Sequence, residues 1–118
     1  MDNAAAEINK FMDNFIDNYF KEPIVCGLIR GRHKMPDHVS FFVFESDIPQ
    51  ANICDSAYFD AVCTAFLDKH SPSAVSVYVT GFTPALLALI KACSARGIGL
   101  TAYNYDRESK SFWKQEVL

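Results

Sequence analysis

The segment Thr80-Gly81-Phe82-Thr83-Pro84 holds the residue types best suited to receive an anion. Gly81 lets the chain turn sharply and brings backbone close to a ligand. Free amides at a helix start bind anions, helped by the helix dipole. Thr80 and Thr83 add hydroxyl donors, and the Phe82 ring can stack on a base. Pro84 withholds one amide. The competing reading is an ordinary capped turn between a strand and a helix. The segment matches neither G-x-x-x-x-G-K-[ST] nor G-x-G-x-x-G.

Two further groups could meet a phosphate. Arg107 can clamp it, with Asp106 beside it as a base or a turn former. Arg30, Arg32, His33 and Lys34, with His38 nearby, form the one basic cluster; a solvated loop is the alternative. His33, His38 and His70 fall at no metal-ligand spacing. At the end of a helix, His70 is expected to be partly cationic. Cys26, Cys54, Cys63 and Cys93 lie in or beside apolar stretches, with no C-x-x-C pair, so all four read as reduced and structural. There is no G-x-S-x-G and no evident Cys–His pairing. Neither metal nor cofactor is expected, and catalytic residues remain unassigned. An enzyme built from these groups would position and polarise a phosphodiester without metal.

Periodicity supplies the elements that carry these residues. Ile8, Phe11, Met12, Phe15, Ile16, Tyr19 and Phe20 recur at helical steps, and Pro23 ends that segment. This stripe packs on its own domain or on a second subunit. Residues 24–30 and 39–45 read as strands joined by a hairpin with a longish loop, the second apolar on both faces and therefore expected to be central. A helix capped by Asp55 or Ser56 buries Phe59, Val62, Cys63, Phe66 and Leu67, and Ser71-Pro72 closes it. Residues 74–80 form a β-branched strand. A helix follows, with Thr83 as its cap, Pro84 at the first helical position and Gly97 just past its end. Its body, ALLALIKACSA, is apolar almost all round and is expected to be well buried. Residues 98–105 and 111–117 form the last two strands, joined by the turn DRESK.

The order α-β-β-α-β-α-β-β predicts a single Rossmann-like α/β domain over 1–118, with a mixed five-stranded sheet and three helices. Right-handed crossovers make the strands at 39–45, 74–80 and 98–105 parallel, and the outer strands pair antiparallel with their hairpin partners. Ligands of open α/β sheets collect at the carboxyl ends of the strands. That places Glu45, Ser46 and Asp47, Thr80 to Thr83, and Tyr105, Asp106 and Arg107 on one rim. The basic loop falls on the opposite rim, and joins the Thr80–Thr83 turn only across an oligomer interface.

The stretch from Ala74 to Asp106, with its strand, its T-G-x-T turn and its helix, resembles the nucleotide-binding half of small CARF-like proteins. These are Rossmann-like domains of CRISPR defence. Some bind cyclic oligoadenylates and some cleave them as ring nucleases. The resemblance implies a nucleotide ligand, and any catalysis would be of the ring-nuclease type. Phe82 and Pro84 stand where the family often carries a further Gly and a Lys. A phage-encoded protein that sequesters a signal nucleotide, or blocks a defence protein, fits the same pattern.

Composition narrows the classes. Of 118 residues, 50% are hydrophobic and 21% charged, which excludes disorder as the main state. With 11 basic and 14 acidic side chains, the formal charge of −3 argues against coating a long nucleic acid. No apolar run spans a membrane, and MDNAAAEINK lacks the basic start of a secretory signal, so a cytoplasmic protein is expected. Two readings result. One is a homodimeric binder of a nucleotide or phosphate ligand. The other is a protein-interaction or inhibitor module with neither ligand nor catalysis.

Overall fold

The computed structural model describes residues 21–118, and the first helix expected from the sequence lies outside them. Five strands follow: β1 (Ile24–Ile29), β2 (Phe41–Phe44), β3 (Ala74–Tyr78), β4 (Gly99–Asp106) and β5 (Ser111–Glu116). The described residues include two α-helices, α1 (Ser56–His70) and α2 (Thr83–Ala95), and a 3-10 turn at Gln50–Asn52. The sheet runs β2-β1-β3-β4-β5. Its first four strands are parallel, and β5 returns antiparallel along β4.

The expected hairpin between the first two strands is therefore overturned. β1 and β2 are parallel, with Cys26 opposite Phe41 and Ile29 opposite Phe44. Residues 30–40 carry the chain back without a helix. A bond from the Val39 amide to the Pro36 carbonyl (3.0 Å) turns it into β2. Gly27 is required by this pairing, because a Cβ there would meet the Phe42 ring at 2.5 Å. β2 is also shorter than the segment 39–45, and it is an edge strand, not a central one: its apolar faces are covered by the core on one side and by the connecting loop's Met35 cluster on the other.

α1 and α2 pack on each other and on one face of the sheet. Cys26, Leu28, Val75, Val77, Leu89, Leu100 and Ala102 form that core, all at most 2% exposed. Alternation turns Val25 and Gly27 to the opposite face. There a smaller cluster of Val39, Phe42 and Tyr78 is joined by Met35, Tyr103 and Phe112. The connecting loop covers part of that face.

The start of α1 agrees with expectation, and the start and burial of α2 depart from it. The Asp55 carboxylate caps α1, accepting from the Tyr58 amide at 3.1 Å, as its type suggests. α2 is capped not by Thr83 but by Phe82, in left-handed conformation and with no side-chain cap bond, so Pro84 sits one position further in. α2 buries only one side, through Ala85, Ala88, Leu89 and Cys93, and leaves Leu87 58% exposed.

Candidate functional site

Because β1 is parallel to its neighbours, its carboxyl end lies beside those of β2 and β3. The basic loop is thus on the same rim as the Thr80–Thr83 turn within one chain, contrary to the expectation of opposite rims. The strand order reverses between β1 and β3, since β2 lies on one side of β1 and β3 on the other. Such a reversal opens a crevice at the carboxyl ends.

Arg32 occupies this crevice. Its Nε and Nη2 both donate to Oδ1 of Asp47, at 3.0 and 2.6 Å. Its guanidinium carbon stands 5.5 Å from the centre of the Phe82 ring. Nη1 makes no hydrogen bond among the described residues and points at the turn, 4.0 Å from where a Cβ on Gly81 would be. Gly81 has φ +79°, which a side chain would strain. The amides of Gly81 and Phe82 donate to no backbone carbonyl among the described residues. Thr83, as the first helical residue, has no intrahelical acceptor for its own amide. One guanidinium edge thus lies beside a turn whose three amides have no backbone acceptor among the described residues.

Thr80 has a different role from the one its hydroxyl suggested. It is 1% exposed, and its Oγ1 accepts from the Ile29 amide at 3.1 Å. The hydroxyl ties the ends of β1 and β3 together and does not face a ligand. Phe82 is braced from behind by Phe59, ring centres 5.5 Å apart. Arg30 pairs with Glu45 through Nε and Nη2 at 3.0 and 2.9 Å and lies over Phe42, 4.4 Å from its ring centre. It is held on the far side of β1 from the Gly81 turn.

Asp106 and Arg107 belong to the β4–β5 hairpin, and the hydrogen bonds of Asp106 stay within it. The Asp106 carboxylate closes the hairpin, accepting from the Ser109 hydroxyl at 2.8 Å and from the amides of Glu108 and Ser109. These bonds hold it below its ordinary range, the Ser109 side chain contributing most. It is a turn former, and Arg107 sits at the tip beside it.

His33 and Lys34 continue from Arg32 to the other face. With Val79, Tyr105 and Phe112 they line a pocket of about 190 Å³.

Two other titratable groups correct the sequence reading. His70 lies against Phe41 and Phe66. Burial and then Lys69 lower its pKa, so the partly cationic form is disfavoured. Cys26, Cys63 and Cys93 are buried as expected, whereas Cys54 is exposed. Burial pushes the Cys26 and Cys63 thiols up to about 12 and Cys93 to about 11, so none supplies a thiolate near neutrality. The described residues contain no cluster of three metal-ligating side chains and no helix long and apolar enough to cross a membrane.

Asp47 is held below its ordinary value of 3.8, first by the Arg32 hydrogen bonds and then by the Ile48 amide. A depressed folded-state pKa gives stability that is present above the unfolded value and lost as pH falls through the folded one. Melting temperature should therefore fall on acidification from about pH 6 to about pH 2. Asp47→Asn should show less of this fall, and a variant whose acid profile overlays that of the parent would contradict the pairing.

No protein-family model, curated protein or solved structure matches the chain.

Proposed function

We propose that the protein binds a phosphorylated small ligand of the nucleotide class, on a Rossmann-like domain, in the crevice between the carboxyl ends of β1 and β3. The supporting observation is the posture of Arg32. Asp47 takes two of its donor groups and leaves the third toward the Gly81 turn. A planar guanidinium edge beside backbone amides at a helix start suits phosphate oxygens. Phe82 supports the guanidinium from below and does not need to stack on a base itself. The resemblance to CARF-like proteins adds that the ligand is a nucleotide signal, bound or sequestered in a defence or anti-defence setting.

A second reading is favoured by another feature. A groove of about 440 Å³ runs between the two helices, lined by Ile53, Cys54, Phe59, Pro84, Leu87 and Lys91. Ile53 and Leu87 are 40% and 58% exposed. An apolar groove of this kind suits a protein partner. Thermal unfolding with nucleoside mono-, di- and cyclic phosphates separates the two. Ligand at a hundred times its dissociation constant should add about 2.7 kcal/mol. Unchanged melting with every nucleotide would reject the rim reading in favour of the interaction module.

A further inference from the structure

The pocket on the open sheet face has a composition of its own. Two cation-capable side chains, His33 and Lys34, line it together with two aromatic rings, Tyr105 and Phe112, and with Val79. The rings meet edge to face at 5.3 Å. Phe112 is fixed from beneath by Tyr78 at 4.8 Å, and Tyr78 is stacked on Tyr103 at 4.7 Å and 11°. Tyr105, 49% exposed, leaves its ring available.

Size and position restrict what fits. Pockets for drug-sized ligands run from about 300 to 1,000 Å³, and this one is about 190 Å³. A single planar base, of one ring or two fused rings, fills it; an extended ligand does not. Its cationic wall follows directly on Arg32 in the chain, so it adjoins the phosphate crevice through the same anchored loop.

We propose that this pocket is the base subsite: one flat nucleobase packs against Tyr105 and Phe112, with its acceptor edge toward His33 and Lys34. One chain then takes one nucleotide unit, and a cyclic oligonucleotide requires one chain per base engaged. For its phosphate this inference rests on the rim reading; for its ring it rests on the pocket alone.

Calorimetry of the full chain with adenosine 5′-monophosphate, adenosine and ribose 5-phosphate tests it. The monophosphate should bind more tightly than ribose 5-phosphate by roughly fivefold to a hundredfold, the range of one base stacked on an aromatic side chain. Tyr105→Ala should close most of that gap and Tyr105→Phe should keep it, which separates ring packing from loss of the fold. Equal binding of monophosphate and ribose 5-phosphate would overturn the base subsite and leave the rim reading standing. Equal binding of monophosphate and adenosine, with none of ribose 5-phosphate, would support the subsite and overturn the rim. No binding of any of the three at millimolar concentration would overturn both.

Discussion

Phe59→Ala should destabilise the domain by about 3–5 kcal/mol, the range for truncating a buried Phe. The ring is 4% exposed. It contacts Phe44 in the core at 6.3 Å and Phe82 at the rim at 5.5 Å. The chain of aromatic contacts continues from Phe82 to Arg32. Removing Phe59 therefore does two things: it opens a cavity between α1 and the sheet, and it releases the support behind the α2 cap. Phe82 has φ +61°, a conformation a non-glycine residue holds only when its surroundings impose it. Denaturant unfolding measures the first effect. The second should appear as weaker ligand binding at temperatures where the variant is still folded. A loss under about 1 kcal/mol would mean that the site collapses around the gap and that the ring is not the link described.

Arg32→Ala should weaken binding of a nucleoside monophosphate by about ten- to a hundredfold, since hydrogen bonds to charged groups contribute about 1.5–3 kcal/mol. Its effect on melting should be small, because its carboxylate partner is largely exposed and surface pairs contribute little. Arg30→Ala and Arg107→Ala should change affinity much less. Arg30 is held over Phe42, away from the Gly81 turn, and Arg107 lies at the β4–β5 hairpin tip. Calorimetry on the three variants gives the ranking. If Arg107→Ala has the largest effect, the ligand lies along the hairpin and not in the β1/β3 crevice.

Much of this arrangement is legible in the chain before folding. The period of α1 marks its buried Phe59, Cys63, Phe66 and Leu67, and β-branched residues mark β3. The hairpin at 106–110 is announced by its turn residues. What escapes is the direction of one strand. A loop containing Gly31 and Pro36 joins strands of either orientation, and local turn chemistry does not choose between them. Gly27 inside β1 marks a close approach, here of the Phe42 ring, but a close approach occurs in either strand direction. Reversing β1 moves the basic loop from one rim to the other, which brings Arg32, expected from the sequence on the far rim, beside the Gly81 turn. The pairing of Arg32 with Asp47 spans fifteen residues between two loops, and no local pattern encodes it. The burial of the Thr80 hydroxyl depends on β3 lying beside β1, which is equally non-local.

Amide chemical-shift mapping of isotope-labelled protein titrated with adenosine 5′-monophosphate tests the rim site most directly. The largest shifts should fall at Arg32 and at Gly81, Phe82 and Thr83, whose amides are the proposed donors, with a second group at His33, Lys34 and Tyr105. Shifts confined to Ile53, Leu87 and their neighbours in the interhelical groove, or none at saturating nucleotide, would contradict a phosphate site at the β1/β3 crevice.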